Sequence, residues 1–237
     1  MTSIDTNLAG FSSERLTRVS RLLQGYVDRG EVAGISAGIA RGGKDIWRGV
    51  FGWLDREAGR PMTDDAVFMI FSMTKPVTGV AAMILYEEGA FDLNTPIARF
   101  APAFRDTPVF VGEKDGGMIL DPLDRDITFR DLFTHTSGMS YGWDDTPVDR
   151  AYRAVSERLE RAGMPMTNAR LIEEMAKLPL RWQPGTKWGY GMNTDVIGAL
   201  IEVISGQNLA DFMAERIFRP LGMADTAFHL QIGRAHV

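Results

Sequence analysis

Ser72 and Lys75 are the residues whose types and spacing first suggest chemistry, in the segment Ser72-Met73-Thr74-Lys75. Residues three apart on a helix share a face, so the serine hydroxyl and the lysine amine can meet. The hydroxyl becomes a useful nucleophile when a base takes its proton, and a lysine can be that base if burial lowers its pKa. A serine at a helix start also offers a backbone N–H to an oxyanion. The same spacing is, however, typical of an N-cap serine followed by a surface lysine.

A second candidate group is Tyr190, which lies far downstream between Gly189 and Gly191. The two glycines indicate a loop, and a loop just before a predicted helix can project a phenol into a cleft. The phenol would then serve as a second base beside the lysine. An isolated tyrosine is more often a half-buried aromatic with its hydroxyl in water, so its neighbours must decide between the two interpretations.

Several further segments carry a resemblance to a known superfamily. They are Leu-Asn-Thr-Pro-Ile at residues 93–97, Ile-Thr-Phe-Arg-Asp-Leu-Phe-Thr-His-Thr-Ser-Gly-Met at 127–139, and Phe-x-Pro-Leu-Gly-Met at 218–223. Together with Ser72, Lys75 and Tyr190, they make the chain resemble the serine β-lactamases, penicillin-binding proteins and family VIII carboxylesterases over residues 13–229. The family VIII esterases are the most similar branch.

The resemblance implies an α+β fold, in which an antiparallel sheet flanked by helices adjoins a mostly helical subdomain. It also implies that Ser72 attacks a carbonyl and forms an acyl-enzyme, while Lys75 and Tyr190 share the proton transfers. The expected substrate is a small-molecule ester or amide, and no metal or organic cofactor is implied. His135 is expected to have a structural role with internal hydrogen bonds, and not to pair with the serine.

Met192 marks a departure from the related class C β-lactamases, which carry Tyr-x-Asn at this point. Here the asparagine comes one place later, as Asn193. The displacement favours the esterase branch and therefore hydrolysis of carboxylic esters, with small acyl groups preferred. Two alternatives stay open: β-lactamase or D,D-peptidase activity on β-lactams or peptidoglycan peptides, and an inactive fragment or non-catalytic binding homologue.

Composition excludes several other classes of function. The formal net charge of -5 and the scattered Lys and Arg residues predict no binding to nucleic acid. The absence of cysteine excludes disulfides and thiolate chemistry, and the three histidines lack the spacing of a zinc protease motif. No apolar run is long enough to span a bilayer, and the first residues do not resemble a signal peptide. The expected location is the cytoplasm, and the oligomeric state is left open.

Periodicity and turn residues predict the elements that must position these groups. The helix carrying the serine is expected to begin at about Ser72, with Pro76 in its first turn and Gly89 at its end. Asn193 is expected to cap a later helix. The predicted helices cover residues 13–29, 72–88, 128–134, 147–163, 168–177, 193–205 and 209–218, the strands 32–40 and 45–53, and the loops 101–126 and 179–191.

Residues 1–230 are interpreted as a partial β-lactamase-related domain. Residues 1–60 supply a helix and the first two strands of the sheet, and residues 61–230 form the mostly helical part with the site motifs. A two-stranded hairpin cannot be a complete sheet for a chain of this length, so the C-terminal strands of the sheet are expected to be missing. A fragment with an unfinished sheet is expected to fold weakly and to have little activity.

The segment 231–237 is expected to be a non-native tail. Its last six residues, Ile-Gly-Arg-Ala-His-Val, match the in-frame translation of a common sequencing adapter. The nucleotide sequence tests this hypothesis, because codons other than ATC-GGA-AGA-GCA-CAC-GTC would contradict it.

Overall fold

A computed structural model describes residues 2–4 and 10–229 of the chain, so the predicted tail at 231–237 lies outside the described residues. The chain divides into two compact units. The first contains the residues up to Met69 together with His229, and the second is Ile70–Phe228. The division falls later than residue 60, because Met62 still donates a backbone hydrogen bond to Gly52, a strand residue of the first unit, at 2.9 Å.

The first unit is a helix packed on an antiparallel sheet. Helix α1 spans Ser13–Asp28 and begins where the Ser12 hydroxyl accepts a hydrogen bond from the backbone N–H of Arg15. The strands that follow pair as an antiparallel hairpin. This unit confirms the predicted helix and both predicted strands, and its buried core consists of Leu16, Val27, Ile46, Trp47 and Phe51. The strands of the hairpin are β2 (Gly34–Arg41) and β3 (Lys44–Asp55).

Two short strands, which the sequence analysis missed, extend this hairpin. Strand β1 (Thr2–Ile4) pairs antiparallel with β3, on the side opposite β2. Strand β4 (Arg60–Pro61) also pairs with β3. Strands of three and two residues are too short to show an alternating pattern, which is why periodicity did not reveal them.

The second unit is mostly helical. The helix Asn193–Ser205 lies at its centre and packs against four other helices of the unit. Its buried residues are apolar on nearly every side, as expected for a helix that is surrounded by others. The helices of this unit are α2 (Thr74–Glu87), α3 (Phe129–Phe133), α4 (Pro147–Arg161), α5 (Asn168–Met175), α6 (Asn193–Ser205) and α7 (Leu209–Met213).

The start of α2 differs from the prediction. Ser72 lies in a short 3₁₀ turn, Phe71–Met73, and the α-helix begins only at Thr74. Phe71 has a φ of 43°, in the left-handed region that non-glycine residues seldom adopt. Pro76 is the third residue of α2, where an N–H would have no partner within the helix, so the proline is tolerated.

The predicted loop at residues 101–126 contains regular structure. It holds a 3₁₀ helix, Pro102–Asp106, and a hairpin of β5 (Val109–Lys114) and β6 (Gly117–Asp121). The two-residue turn is Asp115-Gly116, with φ values of 52° and 78°. An Asp-Gly pair between two strand-forming segments is a strong hairpin signal, which the high content of Pro, Gly and Asp obscured.

Two predictions about the last helices were also wrong in detail. Asn193 does not cap α6, since it is the first residue of the helix and Met192 holds the cap position without a side-chain hydrogen bond. The Asn193 side chain turns into the core instead, where tertiary partners replace the cap bond. The predicted helix at 209–218 is divided into α7 and a π-helical turn, Ala214–Phe218.

No single helix within the described ranges has both the length and the hydropathy to cross a membrane. One bent pair, α6 with the segment Leu209–Phe218, satisfies the test by length and composition alone, with an angle of 84° at the break.

Asp149, in the first turn of α4, is a buried carboxylate of the second unit. Its side chain is buried and accepts hydrogen bonds from Ser140, Thr146 and Arg181. Burial alone would raise the pKa of Asp149, but these hydrogen bonds lower it to about 2. The charged carboxylate therefore joins α4 to the segments on either side of it.

We expect Asp149→Asn to lower the free energy of unfolding by about 2 kcal/mol at neutral pH, the size that linkage gives for a carboxyl pKa falling from 3.8 to about 2. Because the folded pKa is the lower one, the stabilisation is complete above pH 3.8 and is lost as the pH falls towards 2. Urea unfolding between pH 2 and pH 7 measures it. The control is Asp145→Asn, at a side chain that is 85% exposed. Equal stability and equal pH dependence in both variants would contradict the prediction.

Candidate active site

Ser72 and Lys75 contact each other as their spacing predicts. The side-chain Nζ of Lys75 donates a hydrogen bond to the Ser72 hydroxyl at 3.3 Å. Ser72 is exposed and Lys75 is partly buried, so the hydroxyl is open to a substrate while the amine lies below it. The 3₁₀ turn keeps both residues on one side of the chain even though the α-helix starts after the serine.

Tyr190 completes the predicted group. Hydrogen bonds from Lys75 and from Ser72 lower the pKa of the Tyr190 phenol, against the opposing effects of partial burial and of Asp195. The Lys75 Nζ lies 5.2 Å from the centroid of the Tyr190 ring. The structure thus brings together all three side chains that the sequence singled out, with Lys75 next to both Ser72 and the Tyr190 ring. A phenol with a lowered pKa is better able to accept a proton near neutral pH.

The Tyr190 loop is held in place by backbone hydrogen bonds to the segment 135–140. The N–H of Gly189 donates to the carbonyl of His135 at 2.9 Å, and the N–H of Met192 donates to that of Ser140 at 3.3 Å. Earlier in the loop, the N–H of Arg181 donates to Gly138 at 2.7 Å. These hydrogen bonds to the segment 135–140 therefore fix the backbone path of the Tyr190 loop.

The glycines on either side of Tyr190 are required by this close approach. A Cβ on Gly191 would overlap the backbone carbonyl of Met139, and a Cβ on Gly189 would overlap the indole of Trp182. Neither glycine has a positive φ, so crowding and not conformation excludes a side chain here. Gly191 thus reflects two backbone segments in contact, whereas Gly189 makes room for the Trp182 indole of its own loop.

His135 makes the internal hydrogen bond that was expected of it. Its Nδ1 lies 3.0 Å from the amide Nδ2 of Asn193, whose Oδ1 accepts a hydrogen bond of 2.5 Å from the Ser137 hydroxyl. Burial and the nearby Lys75 lower the pKa of His135. The imidazole also stacks on the ring of Tyr190, with centroids 5.0 Å apart, a contact that the sequence did not reveal.

Asn193 is fully buried, and its amide is engaged by His135 and Ser137. It is therefore not free to bind a substrate amide, the role that its counterpart has in class C β-lactamases. The position two residues after Tyr190 belongs to Met192, whose apolar side chain lines the cleft beside Lys75.

An aromatic cluster next to the site was missed by the sequence analysis. The Tyr141 hydroxyl donates a hydrogen bond of 2.6 Å to Asp195, and its ring lies 5.3 Å from that of Tyr190. Trp143 stacks on Tyr141 at 4.8 Å and is 73% exposed. Burial and Asp195 raise the pKa of Tyr141 far above its usual range, so this phenol keeps its proton. The only sign of this cluster in the sequence is the pair of aromatic residues Tyr141 and Trp143 shortly after His135.

A cleft of about 360 Å³ opens beside Lys75 between α2 and α6, within the usual size range of small-molecule sites. Its walls include Thr74, Thr78, Leu171, Met192, Gly198 and Leu209. Within residues 2–4 and 10–229, no group of three or more His, Asp or Glu side chains is arranged to hold a metal ion.

The fold is that of the β-lactamase and transpeptidase class of serine hydrolases. The model of the Beta-lactamase family matches residues 19–236, and the chain belongs to that family. The superfamily and the α+β fold predicted from the sequence are thereby confirmed.

The similar proteins include two named as esterases and one named as a synthase. The chain is 33% identical to esterase EstB of Burkholderia gladioli over 96% of its length, and 36% identical to lovastatin esterase of Penicillium rubens over 72%. Its fold matches that of unliganded simvastatin synthase from Aspergillus terreus with a TM-score of 0.79, at 28% identity over 95% of this chain. The chain spans about half the length of these relatives: 56%, 41% and 57%, respectively.

We expect Gly191→Ala to displace the Tyr190 loop, because the added methyl group meets the Met139 carbonyl. The loss should be about 1–3 kcal/mol of unfolding free energy, as for other overpacked sites. Urea unfolding measures it. Gly79→Ala is the matched control, since a Cβ at Gly79 in α2 meets nothing within 4 Å and alanine favours a helix. If Gly191→Ala were as stable as Gly79→Ala, the close contact between Gly191 and the Met139 carbonyl would not constrain the Tyr190 loop.

Proposed function

We propose that this chain carries the reaction centre of a serine hydrolase that cleaves carboxylic esters through an acyl-enzyme. Ser72 is the nucleophile, and Lys75 and Tyr190 are the proton-transfer groups. The observation that carries the proposal is the 3.3 Å hydrogen bond from Lys75 to Ser72, with the Tyr190 ring 5.2 Å from the same Lys75 Nζ.

The geometry accounts for each proton transfer. As the Ser72 oxygen attacks the ester carbonyl carbon, its proton passes to the Lys75–Tyr190 pair, and negative charge develops on the carbonyl oxygen. The backbone N–H of Ser72, at the helix start, is suited to stabilise that oxyanion. When the C–O bond breaks, the pair returns the proton to the leaving alcohol, and the acyl group stays on Ser72. A water molecule, deprotonated by the same pair, then releases the acid.

Two observations favour esters over β-lactams. Asn193 is occupied inside the protein, and the apolar Met192 takes the place of an amide at the cleft. In addition, two of the similar proteins are named as esterases. The proposed substrate is a small-molecule carboxylic ester with a short acyl group.

The first test is covalent labelling of Ser72 with a fluorophosphonate, followed by intact-mass measurement. Ser72→Ala should abolish the adduct, because the nucleophilic oxygen is gone. Lys75→Met and Tyr190→Phe should each slow labelling by a factor of about 10² or more, since each removes a proton-transfer group. Tyr86→Phe and Lys114→Met, the same changes on other surfaces of the second unit, should label at the wild-type rate. Absence of any wild-type adduct would favour a non-catalytic homologue.

The second test compares substrates. The chain is mixed with p-nitrophenyl butyrate and, separately, with a chromogenic cephalosporin, and both colour release and adduct mass are recorded. We expect an acyl adduct from the ester, with release of at least one equivalent of nitrophenol. An adduct or turnover with the cephalosporin alone would show that the β-lactamase alternative is correct.

A further inference from the structure

A buried row of polar side chains leads from Ser137 through Asn193 to His135 and ends at the ring of Tyr190. Ser137 and Asn193 are fully buried, so their hydrogen bonds are made without competition from water. We propose that His135, kept as the neutral Nε2–H tautomer by Asn193, is a positioning residue that holds the Tyr190 ring in place for proton transfer. The inference rests on the function proposed above.

The tautomer follows from the donors and acceptors along the row. The Ser137 hydroxyl donates to Oδ1 of Asn193 at 2.5 Å, which identifies that end of the amide as the acceptor. The other end, Nδ2, can only donate, and it lies 3.0 Å from Nδ1 of His135. Nδ1 must therefore accept, and the ring proton resides on Nε2. In a charged imidazolium Nδ1 would carry a proton and face the N–H donor of Asn193 Nδ2, so this arrangement disfavours the charged ring.

His135 holds the Tyr190 loop through two separate contacts. Its ring stacks on the phenol ring with an interplanar angle of 27°, and its carbonyl accepts the hydrogen bond from Gly189. His135 itself has a φ of 55°, a strained conformation for a residue with a side chain. Such a conformation persists only where the surroundings enforce it, and here it directs the ring towards Asn193 and Tyr190 at once.

Charged neighbours also bear on the protonation of this imidazole. Lys75 on α2 opposes a positive charge on His135, whereas Asp195 on α6 favours one, and burial opposes it. A proton on Nδ1 would break the hydrogen bond to Asn193 and place a second cation close to Lys75. The ring would then no longer be fixed against Tyr190. The positioning should therefore fail in acid, when His135 becomes protonated.

The tautomer and the stacking can be measured without catalysis. Histidine ring nitrogen spectra of the ¹⁵N-labelled chain report which nitrogen carries the proton, and His135→Phe assigns the signal. We expect Nε2–H at neutral pH, and Tyr190 ring signals that shift in His135→Ala. A proton on Nδ1, a charged ring at neutral pH or unchanged Tyr190 signals would each overturn the proposal.

The catalytic consequence is read from the rate of Ser72 labelling as a function of pH. His135→Ala should label about tenfold more slowly or worse, as expected for a displaced reacting group, and His135→Phe, which keeps a flat ring, should recover most of the rate. As the pH is lowered, the wild-type labelling rate should begin to fall more steeply at the pH where His135 gains a proton. This break in the pH profile should vanish in His135→Phe. In Asn193→Asp it should move up by about one to three pH units, because a carboxylate favours the charged ring.

The control is His229→Phe, at an exposed histidine in the other unit, which should keep both the rate and the break. If His135→Ala matched the wild type in rate and pH profile, the ring would have no positioning role. If His135 only stabilised the fold, His135→Phe would lower the free energy of unfolding, and the break in the pH profile would remain in that variant. Failure of the wild-type chain to label would contradict the proposed function instead, because the nitrogen and ring signals are read without it.

Discussion

The contact between two backbone segments is the constraint on which the site depends. Residues 135–140 and 181–192 lie so close that Gly191 leaves no room for a Cβ beside the Met139 carbonyl. Hydrogen bonds between the two segments then determine where Tyr190 emerges. The serine and lysine need only one turn of helix to meet, but the tyrosine reaches them because a second segment guides its loop. The run around His135 thus has a structural role for the site, even though the proposed nucleophile lies outside it.

The sequence predicted the main helices and the first hairpin, but not the tertiary partners of the polar side chains. The Ser72–Lys75 contact follows from helical spacing alone, and the predicted α1, β2 and β3 are confirmed to within two residues at each end. The role of Asn193 could not be predicted in this way, because its preference for a helix cap gave way to two buried partners from a distant segment. Tyr141 was missed for the same reason, since its partner Asp195 is remote in sequence.

The family match and the geometry support each other but answer different questions. The match identifies the class, while the relatives extend to about twice the length of this chain, so their activities are no more than a guide. The geometry shows a lysine amine that is hydrogen-bonded to a serine and lies beside a tyrosine ring, all within the second unit. The proposed chemistry can therefore be tested on the groups present, by covalent capture of the serine.

The left-handed backbone at Phe71 limits how this surface can change over evolution. Its side chain is 75% exposed, and a residue with so few neighbours would ordinarily be free to vary. A φ of 43° removes that freedom, because valine, isoleucine and threonine are strongly disfavoured there, whereas glycine and asparagine are accommodated. Sequence change next to Ser72 is thus restricted by main-chain shape, with β-branched residues the least tolerated.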